Sequence, residues 1–299
     1  MTSNTRKEET DMASGLYSQH LDRPYVYKIR KIIIGLVLTF CAIVVLFPLV
    51  YMLAWSFGPS LETASSSYHI FPTSMGLDSY KTFFNFSEYS WRWLFNSFVV
   101  ALCTVISNVV FASMAGYAFA KINFKGRNFL FFMILVAMMI PYQVTQVPLY
   151  ILFVNKFKMT NSYLSLILPG CVTSYNIFLS KQFFSSIPTA LIESAKVEGA
   201  SQIRIFNSII LPLSKTVLAV MAINTFVGTW NTFFWPFLVT SKEAMYTIQV
   251  GLKTFKFANG TLLSPMMAGA CVSAIPMFIL FFALQKYFLE GVTIGAVKG

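Results

Sequence analysis

The stretch Ile187-Pro188-Thr189-Ala190-Leu191-Ile192-Glu193-Ser194-Ala195-Lys196-Val197-Glu198-Gly199-Ala200-Ser201 interrupts a chain that is otherwise largely apolar. Pro188 suits the first position of a helix, where no backbone N–H donor is needed. Good helix formers follow for about three turns. Gly199 suits the left-handed position just beyond a helix end. Ser201 can cap a second helix starting at Gln202 by accepting from its first free amides. The stretch predicts two short helices meeting at a bend. Ala190 and Ser194 make a small, smooth strip one turn apart, with Leu191, Ala195 and Glu198 on the adjacent face. Such a helix can seat in a groove of another protein, its charged groups fixing the orientation. A helix resting on lipid headgroups is the competing reading, but this one has few basic residues and a weak apolar face.

Outside that stretch the composition belongs to a membrane protein. Of 299 residues, 56% are hydrophobic and 11% are charged, with a mean hydropathy of +0.66. A soluble domain carries about 25% charged residues, and a disordered chain is far less hydrophobic than this one. Six apolar runs are long enough to cross a bilayer, at 32–57, 94–120, 129–152, 163–180, 208–240 and 266–284. The fifth is too long for one straight span and includes a lead-in near Pro212 and Lys215. Pro48, Pro141, Pro148, Pro169, Pro236 and Pro276 predict kinks or broken turns within these runs. The first run is too long for a cleaved signal peptide and lacks a small-x-small cleavage site. Cys41, Cys103, Cys171 and Cys271 each lie in an apolar run without metal-ligand spacing and read as packing residues.

Six spans put both termini on one side. Fifteen of the 22 Lys and Arg then fall on that side and seven on the other. Arg6, Lys7, Arg23, Lys28, Arg30 and Lys31 precede the first span. The positive-inside rule places both termini, and the quoted stretch with them, in the cytoplasm. The net charge of +11 therefore records topology and not a nucleic-acid partner. The organisation expected is a cytoplasmic tail over 1–31, a six-helix transmembrane domain over 32–290 with the helix pair at 187–207, and a cytoplasmic tail over 291–299.

The span centres hold no Asp, Glu, Lys, Arg or His. Such groups mark proton relays and charge movement, so a proton-coupled carrier or a membrane enzyme is disfavoured. Sodium coupling through neutral oxygens stays open. The chain has no G-x-x-x-x-G-K-[ST] nucleotide loop, so energy for moving a solute has to come from a partner. Asn96, Asn108, Gln143, Gln146, Asn224, Thr229 and Asn231 can either hydrogen-bond a hydroxylated solute or join neighbouring helices. Trp230 and Trp235 can stack on a sugar ring or anchor a span at the membrane interface. Ala112, Gly116 and Ala120, and Gly269 with Ser273, have the spacing of close helix contacts.

The run Glu193-Ser194-Ala195-x-x-Glu198-Gly199-Ala200-Ser201, followed by Ile210-Leu211-Pro212-Leu213, resembles the E-A-A loop of ABC importer permeases. Ser194 stands where that family has Ala, Glu198 where it has Asp, and Lys215-Thr216 where a proline often follows. Other segments resemble the carbohydrate-uptake branch of the family, of the maltose-system type. They are Asn96-Ser97, Ala115-Gly116-Tyr117-Ala118-Phe119-Ala120-Lys121, Trp230-Asn231-x-Phe233-x-Trp235-Pro236 and the terminal Gly295-Ala296-Val297-Lys298-Gly299.

The resemblance implies an all-α type I ABC importer permease fold in a bacterial plasma membrane. It makes the helix pair a coupling element docked into a cytoplasmic ATPase. Glu193 supplies a polar contact, Ala195 close packing and Gly199 the bend, with Ser194, Glu198 and Ala200 at the remaining motif positions. Gly295, Ala296, Val297, Lys298 and Gly299 reach between the ATPases. The implied partners are a second permease in a heterodimer, two ATPase copies and an extracytoplasmic solute-binding protein docking on residues 58–93. ATP and Mg2+ sit on the ATPase, and this chain binds no cofactor or metal. A sugar or oligosaccharide is the implied substrate, with Asn96, Gln143, Asn224, Trp230 and Asn231 as path candidates, although the other permease supplies most sugar contacts in maltose-type pairs. An importer permease for a non-sugar solute and a self-sufficient channel or sodium-coupled carrier are the alternatives.

Overall fold

A computed structural model describes residues 24–60, 69–257 and 260–296. Backbone groups in a bilayer find no water, so apolar runs satisfy them internally as helices. Helix α1 covers Pro24–Ser56 and stays helical through Pro48. Its side chains from 27 to 50 are exposed. A short helix α2 (Asp78–Asn85) precedes the long α3 (Ser90–Lys121), and the last helix, here α14, runs Leu263–Ala296. Within α1, α3 and α14, the stretches Tyr27–Ser56, Ser90–Lys121 and Leu263–Lys286 are each long and apolar enough to cross a membrane.

The third, fourth and fifth apolar runs are not single kinked helices. Each is a bent pair, and counting each pair as one span gives up to six. Helices α4 (Arg127–Met139) and α5 (Tyr142–Tyr150) meet at Ile140-Pro141, both in extended backbone, and the bend is 98°. A π-helical turn, Ile151–Lys156, continues α5. Helix α6 (Tyr163–Ile167) and a 3-10 turn at Leu168–Gly170 are followed by α7 (Ser174–Ser186), bent by 42°. Thr173 starts α7 by accepting from the Asn176 amide, so a new helix begins where the sequence suggests continuation. Helix α7 also runs six residues past the expected end at 180.

The helix pair of the quoted stretch is α8 (Thr189–Val197) and α9 (Gln202–Ile205). A π-helical turn at Phe206–Ile210 and the short α10 (Leu211–Leu213) lead to Ser214, beyond which α11 (Lys215–Asn231) departs at 81°. This is the lead-in expected around Pro212. The fifth run ends at Asn231 and not at 240, because Thr232 is extended and α12 (Phe234–Val239) starts anew. Helix α13 (Ile248–Lys253) and a two-residue antiparallel pairing of Lys256–Phe257 with Gly260–Thr261 complete the order.

Helix α3 is the shared support. Its Ala112 and Gly116 face α7, where a Cβ on Gly116 would strike the Ser180 side chain. The Ser180 hydroxyl donates to the Ala112 carbonyl at 2.9 Å. The small-residue spacing read from the sequence is thus a close helix contact. Farther along, Trp93 of α3 is buried with Phe83, Phe226 and Trp230, and Val100 with Phe153, Leu166 and Trp235. Neither Trp230 nor Trp235 is an interfacial anchor, since both are buried inside the fold.

Candidate functional site: a docking loop and a polar cavity

The end of α8 is built as a Schellman motif. Gly199 has φ +80°, and its N–H donates to the Lys196 carbonyl at 3.0 Å. The Ala200 N–H reaches back to the Ala195 carbonyl at 2.9 Å. These bonds satisfy carbonyls that the helix end would leave free, and they turn the chain by way of a residue that tolerates positive φ. Ser201 then caps α9, accepting from the Arg204 amide at 3.3 Å. The bend and the second cap lie where the sequence places them. Pro188 differs by one position: it is the cap residue, with Thr189 first in the helix.

One face of this loop belongs to the protein core. Ile187, Ile192, Ala195 and Ile205 are buried in one cluster with Tyr117 and Phe184. The Tyr117 hydroxyl donates to Gln202 Oε1 at 2.7 Å. Lys121 Nζ donates to the Ile187 carbonyl at 2.6 Å, completing the acceptor at the end of α7. The last turn of α3 therefore grips both helices of the loop. Ala195 has its close packing within this chain, and Ala200 packs half-buried on the same cluster.

The other face is unused. Glu193, Ser194, Glu198 and Gly199 are exposed, and neither glutamate forms an ion pair among the described residues. Leu191 is exposed, Val197 is 90% exposed and Ile203 74% exposed. Reading residue types alone did not single out Val197 and Ile203, which the structure leaves exposed beside the bend. The available signal was two branched apolar side chains flanking a bend that already buries Ile192. Of the expected C-terminal contacts, Gly295 and Ala296 close α14, and Val297, Lys298 and Gly299 lie outside the described residues.

The five path candidates separate into two kinds. Asn96 is fully buried and fully bonded. Its amide donates to the Ala244 and Tyr246 carbonyls, both at 2.9 Å, and its oxygen accepts from the Tyr163 hydroxyl. Trp230 is buried, with its indole N–H on the Ser273 carbonyl at 3.0 Å. Both spend their polar groups on joining elements. Gln143, Asn224 and Asn231 are exposed. Asn224 borders a cavity of about 350 Å³, and Asn231 a smaller one of about 250 Å³ beside Gln249 and Ser273.

The cavity of about 350 Å³ is partly open and lies between α3, the start of α5, the α6–α7 junction, α11 and α12. Ser97, Thr104, Asn176, Thr229, Trp235 and Thr247 are among its walls, and no wall residue is charged. Asn176 of α7 donates to Asn108 Oδ1 at 2.6 Å and to Thr225 Oγ1 at 2.9 Å, which orients its amide. Asn108 in turn donates to the Gly170 carbonyl at 2.8 Å. Trp235 donates its indole N–H to the Ser165 carbonyl at 2.8 Å. Thr104, Asn176 and Thr247 escaped the sequence reading, because isolated uncharged polar residues in apolar surroundings usually bond within the fold.

Comparison with known proteins agrees with this architecture. The family described as binding-protein-dependent transport system inner membrane component matches residues 108–294. The arabinooligosaccharides transport system permease protein AraQ of Halalkalibacterium halodurans is 35% identical over 87% of this chain and 94% of that protein. The galactooligosaccharides transport system permease protein GanQ of Bacillus subtilis is 36% identical over 91% of this chain and 96% of that protein. A chain of a bacterial ABC transporter involved in import of the acidic polysaccharide alginate shares the fold. Its TM-score is 0.76 at 22% identity, covering 87% of this chain and 97% of that one. The chain belongs to the family of binding-protein-dependent transport system inner membrane components, the permease subunits of ABC importers, in which ATP hydrolysis resides in a separate protein.

Proposed function

We propose that this chain translocates a neutral sugar or oligosaccharide inward as one of two different permeases of an importer in a bacterial plasma membrane. Two ATPase copies holding ATP and Mg2+ sit on the cytoplasmic side, and a solute-binding protein delivers substrate from outside. The chain crosses the membrane six times with both termini, 1–31 and 291–299, in the cytoplasm, as its basic residues favour. The substrate assignment rests on the oligosaccharide relatives.

The observation that carries the coupling role is the two-faced loop. One face is clamped to α3 by Tyr117 and Lys121, and the other offers Leu191, Val197 and Ile203 with Glu193 and Glu198 beside them. An apolar patch rimmed by charge, on a helix fixed to its own fold, suits a groove on a protein partner. Closure of the ATPase dimer on ATP displaces the docked loop, and the clamp passes that displacement to α3 and the spans packed on it. Glu193 and Glu198 orient the docking, Gly199 keeps the two helices at their angle, and residues 295–299 add a second contact. Solute passes along the side of α11 that carries Asn224 and Asn231, with Gln143 on α5.

Purification of the tagged chain from its native membrane tests this. The expected result is co-purification of an ATPase whose hydrolysis rises with sugar-loaded binding protein. Recovery of the chain without any ATPase under conditions that preserve sugar uptake contradicts it.

A further inference from the structure

We infer that the turn between α3 and α4 seats the headgroup of an anionic phospholipid, with Lys125, Arg127 and Lys181 supplying positive charge and the first turns of α4 supplying apolar surface for the acyl chains. The inference goes beyond the import reading and needs only that α3 and α4 cross the bilayer.

Five residues, 122–126, separate the two helices. So short a connection keeps its basic side chains level with the end of the apolar surface. Gly126 takes φ +83° to reverse the chain, and no atom lies within 4 Å of where its Cβ would stand, so the backbone is open to the outside there. Arg127 follows as the first residue of α4 and is half-buried. Its Nη1 donates to Asn123 Oδ1 at 2.9 Å and to the Ile122 carbonyl at 3.4 Å. These bonds plant the guanidinium on the turn, beside an open cavity of about 270 Å³ that Asn123, Phe124, Gly126 and Asn128 also border. The bias of basic residues toward one side of a membrane accounts for their number, not for the bonds that hold Arg127 at this edge. A further cation arrives from α7. The Phe119 ring packs on Phe124 and Phe131, with centroids 5.8 and 5.6 Å apart, and Lys181 Nζ lies over the Phe131 ring, 4.8 Å from its centroid.

Nothing in this part of the chain balances those charges. No Asp or Glu occurs between Glu88 and Glu193, and none of the three bases forms an ion pair among the described residues. Lys121, a fourth base here, is committed to the Ile187 carbonyl. Cations gathered at the boundary of a low-dielectric layer repel one another, and an anion placed among them relieves that repulsion. Apolar surface begins directly beside the turn. Helix α4 buries none of its residues, and Phe129, Leu130, Phe132 and Met133 are all exposed. An inorganic anion answers only the charge. An anionic phospholipid answers both, with its phosphate on the bases and its chains along α4.

The test uses the chain purified with its associated subunits, in nanodiscs of phosphatidylcholine holding a minor share of phosphatidylglycerol, with p-benzoylphenylalanine in place of Phe129. Irradiation followed by mass spectrometry of the lipid joined to this chain gives the enrichment of phosphatidylglycerol over its share of the bilayer. The expected result is clear enrichment, lowered about fivefold by Lys125→Gln and by Arg127→Gln, each of which removes one charge at the headgroup. Lys125 is exposed, so its replacement spares the fold. No enrichment, or enrichment unchanged in both variants, overturns the inference. Loss of the enrichment in millimolar inorganic phosphate assigns the bases to a soluble anion and overturns it as well. Cross-linking to a protein subunit instead of lipid makes the turn a protein contact, which also overturns it. Stimulation of ATP hydrolysis by loaded binding protein, measured in the same nanodiscs, reports separately on the import reading.

Discussion

At its last turn α3 supports residues 187–205, and there the surplus groups are apolar and face outward: Leu191, Val197 and Ile203. Nearer its start α3 walls the cavity, and there the surplus groups are polar and buried: Thr104 Oγ1, Asn176 Oδ1 and Thr247 Oγ1. Exposed apolar surface is relieved by another protein, because burying it releases water over a broad area. An orphaned buried oxygen is relieved by a hydrogen bond, which a small polar molecule can deliver where a protein surface cannot reach. The same helix thus borders one region with exposed apolar side chains and one with buried polar groups. On the proposed function, α3 is the element through which movement of the first reaches the second.

Disrupting the element common to both regions gives the largest effect. Gly116 lies on α3 between Thr104 and the loop clamp, and even a methyl group there meets Ser180 and the Lys181 backbone. Gly116→Val overpacks the α3–α7 contact, at a cost of about 1–3 kcal/mol or more. Membrane level, ATPase association and sugar uptake all fall together in an immunoblot and uptake assay. Survival of one function without the others would show that α3 does not join the two regions.

Next in size is Gly199→Pro, which touches the loop only. Proline cannot adopt φ +80° and has no N–H for the Lys196 carbonyl. The chain should remain in the membrane at normal level while ATP-driven uptake drops to background. Gly199→Ala is milder, because no atom crowds a Cβ there and only the left-handed backbone penalty of about 1–2 kcal/mol applies.

Val197→Glu and Ile203→Glu sharpen the comparison at the partner face. Both positions are solvent-exposed, so the fold is spared, and ATPase retained on the purified complex should fall about tenfold, as for a well-buried interface residue. The smallest effect belongs to Tyr117→Phe, which removes one hydrogen bond to Gln202 worth about 0.5–1.5 kcal/mol. Its signature is a rise in ATP consumed per sugar moved, at unchanged ATPase association.

Much of the loop was legible in the residues. Local rules place the bend at Gly199 and the cap at Ser201, since both depend on neighbours a few positions away. Which side of α8 faces inward was not legible. The helix has nine residues, and its orientation is set by Tyr117 and Ile205 from other segments. Asn96 shows the same limit. Its three partners are Tyr163, Ala244 and Tyr246, and nothing near residue 96 announces them. The breaks at Pro141 and Ser214 follow from proline and a non-helical backbone, but the 98° and 81° angles are set by packing. The cavity was least legible, because it is assembled from residues between 97 and 247.

The central claim is that a partner ATPase drives this permease through the α8–α9 loop. Uptake of labelled oligosaccharide into liposomes tests it most directly, comparing this chain alone with the complete importer, ATP and loaded binding protein present in each case. The prediction is no accumulation by the chain alone and ATP-dependent accumulation by the complete importer. Accumulation by this chain alone, at a rate indifferent to ATPase and ATP, would contradict the account.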